Sequence, residues 1–115
     1  MCDDYIVKAK DIKRINKNYD KYKKLLEKET DLVKQLEYKR LLREVEYKKM
    51  DIDFQILNIS ISHKGGELHK KIFIDRFINS VPIERLVDKY GVGRSTLYRI
   101  LNKAIELFES DIWYI

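Results

Sequence analysis

The chain has 115 residues, 44% hydrophobic and 37% charged, with a net charge of +5 and a pI near 9.2. That length holds one compact domain, or a small domain with an extension, and no run of about 18 apolar residues exists to make a transmembrane helix. The opening MCDDYIVKAK lacks the basic-then-apolar order of a signal peptide, and a single cysteine, Cys2, allows no internal disulfide, so a cytoplasmic location is expected.

The first half is a mixture of charges. Met1 to Ser62 carries 15 Lys/Arg and 12 Asp/Glu spread along its length, the pattern of a solvated face. From Asp4 to Met50 there is neither glycine nor proline to punctuate a helix. Ile12, Ile15, Tyr19, Tyr22 and Leu26 recur at gaps of three and four and form one helical stripe. The stripe continues through Val33 and Leu36, then drifts to Leu41 and Val45. Glu29 and Arg40 stand where a strict heptad would be apolar. A single helix of about 45 residues would be nearly 70 Å long and would need something to cover its stripe. A second copy, a hairpin broken at Thr30 and Asp31, or the C-terminal half would each do so. The expectation is a helical dimerisation or coiled-coil segment over 1–62; the alternative is an intramolecular helix pair with no oligomeric role.

Asp51 to Ser62 reads two ways. Ile52, Phe54 and Ile56 alternate like a strand, whereas Ile52, Ile56 and Ile59 would line a helix. The reading taken is a short helix end followed by a connector. His63-Lys64-Gly65-Gly66 then interrupts the pattern and marks the start of a second segment, 63–115. Glu67 to Asn79 predicts a helix with Leu68, Ile72, Phe73, Phe77 and Ile78 facing inward. Pro82 suits the first turn of the next one.

Residues Val81 to Asn102, VPIERLVDKYGVGRSTLYRILN, carry the most information. One helical pattern ends at a glycine and another opens at once, as in a helix-turn-helix. With Gly91 as the turn residue at positive φ, Leu86, Val87 and Tyr90 line the inside of the first helix and Val92 plugs the turn. Leu97, Ile100, Leu101, Ala104, Ile105 and Phe108 line the inside of the second, and Gly93 is its N-cap. The opposite face holds Arg94, Ser95, Tyr98, Arg99, Asn102 and Lys103. Between Arg94 and Lys103 there are two arginines, one lysine and no acid. A guanidinium of Arg94 or Arg99 can donate two hydrogen bonds to a guanine edge, and Asn102 can do the same to adenine. Ser95 and Thr96 suit phosphate contact or capping, and Tyr98 suits packing on a sugar or thymine methyl. A plain linker is the expected role of the glycine-rich stretch around Lys64.

GVGRSTLYRIL resembles the helix-turn-helix of serine recombinases, and the same core is similar to region 4 of bacterial sigma factors. The likeness spans about Gly65 to Phe108. Because the recombinases send a flexible basic arm from just before this domain into the adjacent minor groove, the resemblance makes Lys64 a candidate minor-groove contact. The arrangement of a charged helical N-terminal region and a C-terminal domain of this kind, in so short a chain, resembles small phage transcriptional regulators of the ArpU and RinA kind. That resemblance implies transcription control in a bacterium or its mobile elements.

Other chemistries are not supported. GVGRST lacks the Walker A spacing, because Asp88 stands where that loop needs its first glycine and Arg94 replaces its lysine. His63, His69 and Cys2 have no metal-ligand spacing, and no nucleophile has a base and an orienting partner. No enzyme, cofactor or metal is expected. Trp113, Tyr114 and Ile115 either fold back on the C-terminal domain or form a subunit or polymerase contact. The expectation is an all-α chain with an extended helical segment and a three-helix helix-turn-helix domain. It would act as a sequence-specific regulator that binds double-stranded DNA as a homodimer through its N-terminal helices. The alternatives are a protein that binds RNA polymerase or another regulator, and an accessory factor for recombination or packaging.

Overall fold

The computed structural model describes residues 6–61 and 64–110. Over these the chain is all-α. A 3-10 turn at Ala9–Asp11 leads into α1 (Ile12–Lys28), followed by α2 (Leu32–Ile61). Helix α3 (Gly66–Phe73) runs on into a π-helical turn at Ile74–Ile78, and α4 (Ile83–Tyr90) and α5 (Arg94–Phe108) complete the fold. No described helix is long and apolar enough to cross a membrane. Cys2, His63 and the tail Trp113-Tyr114-Ile115 lie outside the described residues.

The first half is a hairpin and not one long helix. Glu29 leaves α1 with extended backbone, at ψ 132°. Its carboxylate accepts from the N–H groups of Thr30 at 3.2 Å and Asp31 at 3.1 Å. Asp31 accepts from the N–H of Val33 at 3.1 Å, and Gln35 donates to the Glu29 carbonyl at 2.6 Å. Acidic side chains that bond nearby backbone thus end one helix and start the next without glycine or proline. The stripe splits at this break. Ile12 and Ile15 are buried and Tyr19 and Tyr22 pack beside them, whereas Val33 and Leu36 on α2 are exposed. The Lys49 ammonium sits over the Tyr19 ring at 4.2 Å and ties the two helices together.

Residues 51–61 are helix throughout, which corrects the connector reading. Val45, Ile52 and Ile59 are buried on the side facing α1, α3 and α5, and Phe54 points outward. Burial at a spacing of seven outweighs the apparent alternation. Leu68 and Ile78, expected inside, are exposed. The π turn adds one residue to the last turn of α3, with the Asn79 N–H on the Ile74 carbonyl at 3.0 Å. Within this turn Ile78 faces out, while Phe77 still packs on both buried clusters.

Two buried clusters meet at α3. One joins Ile12, Ile15, Val45, Ile52, Ile59, Phe73, Ala104 and Phe108, and the other joins Ile72, Leu86, Leu97 and Leu101. The first draws on both 1–62 and 63–115. Phe73 stacks on Phe108 with ring centres 4.6 Å apart and lies 4.7 Å from Phe77. Helix α3 starts hard against α2, where a Cβ at Gly66 would collide with the Ile59 carbonyl and lie 2.8 Å from that of Ser60.

Two buried amides also join the halves. Gln55 accepts from the Val7 N–H at 2.9 Å and donates to the carbonyls of Val7 at 2.8 Å and Phe108 at 3.0 Å. Asn58 donates to the Leu107 carbonyl at 2.9 Å and to the Ser110 hydroxyl at 2.8 Å. The last carbonyls of α5, which a helix cannot satisfy itself, are thereby bonded to α2.

Candidate functional site

Helices α4 and α5 are joined by three residues, Gly91 to Gly93. Gly91 takes φ 64° and ψ 35°, and its N–H and that of Val92 both bond the Val87 carbonyl, at 3.0 and 3.3 Å. This left-handed residue ends α4 and turns the chain, a conformation glycine adopts without a Cβ penalty. Gly93 is extended, at φ −71° and ψ 159°, and its carbonyl accepts the Leu97 N–H at 3.0 Å, so it is the N-cap of α5. Pro82 holds the matching N-cap position before α4 and does not lie within the first turn.

The inner side of α5 is as expected from the sequence. Leu97, Leu101, Ala104 and Phe108 are buried, and Ile100 and Ile105 are half-buried. Leu86 is buried on α4, with Val87, Tyr90 and Val92 packed beside it. With this side committed to the core, the other side of α5 must face out. Arg94, Ser95, Thr96, Tyr98, Arg99 and Asn102 are all exposed, and Lys103 is half-exposed. At about 100° per residue, Tyr98, Ser95, Asn102 and Arg99 share the centre of this face, and Arg94, Lys103 and Thr96 lie at its margins. Lys64 is exposed but belongs to the turn between α2 and α3, not to α5.

The cations of the face differ in their partners. Arg94 pairs with Glu84 of α4 at 2.9 Å, and Lys103 lies 3.4 Å from Glu106. Both pairs are exposed and therefore weak and salt-sensitive. Arg99 has no ion pair among the described residues. Elsewhere Lys10, Lys13 and Arg76 line one cleft with Phe77 and Ser80. The cluster escaped sequence reasoning because it joins the start of α1 to the π turn across more than sixty positions.

A buried acid sets the pose of α4. Asp75, on the π turn, accepts from the Tyr90 hydroxyl at 2.6 Å and the Lys89 ammonium at 2.7 Å, and its backbone carbonyl accepts the Val81 N–H at 2.9 Å. The hydrogen bonds from Lys89 and then Tyr90 hold its carboxyl below the ordinary value of 3.8. Burial, then the bond to Asp75, raises the Tyr90 phenol, and the bond to Asp75 raises Lys89. Sequence reasoning placed Tyr90 in the core but missed Asp75; the available signal was an acid inside the run KKIFIDRFI.

A depressed carboxyl contributes stability that is present above its unfolded value and is lost as pH falls through the folded one. The Tyr90 and Lys89 shifts have the opposite sign, so their share is present below about pH 10 and fades as pH rises beyond it. Asp75→Asn should therefore lower stability at neutral pH and flatten the acid limb of a stability-versus-pH curve below about pH 4. An unchanged acid limb in denaturant titrations would count against Asp75 as the group responsible.

No protein-family model matches the chain, and no curated protein and no solved structure matches it either.

Proposed function

We propose that the chain is a sequence-specific double-stranded DNA-binding transcription regulator of the kind carried by phages and mobile elements. On this reading α4 and α5 form a helix-turn-helix, and α5 enters the major groove. The observation that carries it is the outer face of α5: exposed, holding cations and hydrogen-bonding side chains, free of acids from Arg94 to Lys103, and backed by an apolar inner face that packs on the core. Three supports agree with it. The turn is short and built on a left-handed glycine. The Asp75 network holds α4 in place behind α5. The pI is near 9.2, which suits a polyanion.

Roles follow from position. Arg99 and Asn102 lie at the centre of the face and suit guanine and adenine edges, and Tyr98 and Ser95 lie beside them. Arg94, Lys103 and Thr96 at the margins suit phosphates, which add affinity without sequence information. Arg94 would exchange Glu84 for a phosphate on binding, an exchange between exposed partners that costs little. The N-terminal helices would supply a homodimer, and two copies would read paired half-sites in the cytoplasm of a bacterial host.

Arg99 is the most direct probe, because it is exposed and has no ion-paired partner among the described residues. Arg99→Ala should weaken binding to the preferred site by about 1–3 kcal/mol, with little change on scrambled duplex. Sequences selected from random DNA by the pure protein would supply that site, and gel shifts at several salt concentrations would measure the loss. Equal losses on specific and scrambled DNA, with a salt slope shallower by about one unit, would make Arg99 a phosphate contact. Failure to select any sequence, together with tight binding to RNA polymerase, would replace the reading with that of a polymerase-binding protein.

A further inference from the structure

Helix α2 has two apolar sides. Val45, Ile52 and Ile59 face the core, one heptad apart. On the opposite side Tyr47, Met50, Phe54, Leu57 and Ile61 follow at gaps of three and four and are 50–70% exposed. The same frame reaches back to Val33 and Leu36 near the hairpin turn, which are 71% and 59% exposed. This is the stripe of the N-terminal half carried on in phase. In α1 it faces inward, and past the break at Glu29–Asp31 it faces out. Seven of the nine a and d positions from Val33 to Ile61 are apolar or tyrosyl, the pattern of a coiled-coil seam, and nothing in the described chain covers it. Together they expose on the order of 800 Å² per copy, about what each partner of a stable interface contributes.

We infer that this outer face of α2 is the interface with a second copy of the chain, packed antiparallel. Charge chooses both the partner and the direction. The seam is interrupted in its middle by Arg40 and Arg43, both exposed and neither ion-paired among the described residues. A parallel pair would set each arginine against its own copy, like charge on like charge. An antiparallel pair with Tyr47 of one copy beside Met50 of the other sets Arg43 beside Phe54 and Arg40 beside Leu57. That segment of α2 is grooved, lined by Met50, Asp53, Phe54 and Leu57. Each arginine stem lies on apolar surface there, its guanidinium in reach of the Phe54 ring and the Asp53 carboxylate. The two grooves are related by a twofold axis, so every contact is made twice. α1, α3 and α5 pack on the other side of α2 and leave the face of α5 open in both copies. The inference names the surface behind the homodimer proposed above but does not depend on what α5 binds.

Sedimentation equilibrium of the full chain tests it. The expected mass is twice the 13.9 kDa of one chain. Phe54→Asp and Leu57→Asp, both at exposed positions, should each return it to that of one chain with an unchanged helical circular dichroism spectrum. Orientation is read by oxidative cross-linking in a Cys2→Ser background. The double variant Leu36→Cys/Ile61→Cys should cross-link into dimers, and either single variant should not. A wild-type chain that stays monomeric at high concentration, a dimer insensitive to both aspartates, or cross-linking by the single variants would each overturn the inference. Failure here is separable from failure of the DNA reading. A monomeric Phe54→Asp variant should still bind a single half-site, and Arg99→Ala should leave the sedimentation unchanged.

Discussion

Phe73→Ala should destabilise the chain by about 3–5 kcal/mol, the range for truncating a buried phenylalanine. Phe73 is completely buried, stacks on Phe108 and packs at a tilt against Phe77. It belongs to the cluster that holds Ile12, Ile59 and Ala104, and its neighbour Ile72 belongs to the cluster around Leu86 and Leu97. The cavity would open where the hairpin, α3 and α5 meet, and backbone cannot easily collapse into it from three directions. Since a domain of this size holds only about 5–15 kcal/mol in all, the loss should be felt everywhere. Native-state hydrogen exchange provides the check. Amides of α1, α2 and α5 should lose protection together, as expected of one cooperative unit. Loss confined to α3, α4 and α5, with the hairpin still protected, would mean that the two halves unfold separately.

Gln55→Leu is expected to cost about 3 kcal/mol despite nearly conserving volume. Its amide satisfies one N–H and two carbonyls at 2.8–3.0 Å, two of them on Val7 and one on Phe108. Leucine fills the space and bonds none of them, and each buried group left without a partner costs about 1–3 kcal/mol. Release of the segment around Val7 to water would limit the total. That segment is otherwise tied by the Ala9 N–H to the Glu109 carboxylate at 2.9 Å, so its release should expose the Ala9 amide as well. A fall in the denaturant midpoint with faster exchange at Ala9 is the expected pair of results. An unfolding free energy within about 0.5 kcal/mol of wild type, the size of an ordinary surface substitution, would show that Gln55 is not a structural tie.

The ends of the chain's most regular pattern were legible, and its middle was not. Gly91 and Gly93 could be assigned to a turn and a cap because glycine signals conformation locally, and the apolar spacing of α5 settled its buried side. The hairpin break was harder to read. Glu29, Thr30 and Asp31 are ordinary helix-surface residues, and they act as a stop only because their side chains bond the backbone beside them. Residues 51–61 misled for another reason. With apolar residues on both sides of a helix, the period that distinguishes helix from strand is blurred.

By itself, the sequence determined the all-α class, the turn at Gly91, and the exposed set Arg94, Ser95, Tyr98, Arg99 and Asn102, because each follows from spacing within one helix or conformation at one residue. Tertiary structure alone decided that the first half folds back on itself, that Gln55 and Asn58 bond it to the end of α5, and that Asp75 is buried against Lys89 and Tyr90. It also decided which way each half of one continuous stripe points. Spacing says that a set of side chains shares a face; only the packing of the other helices says whether that face looks at the core or at the solvent.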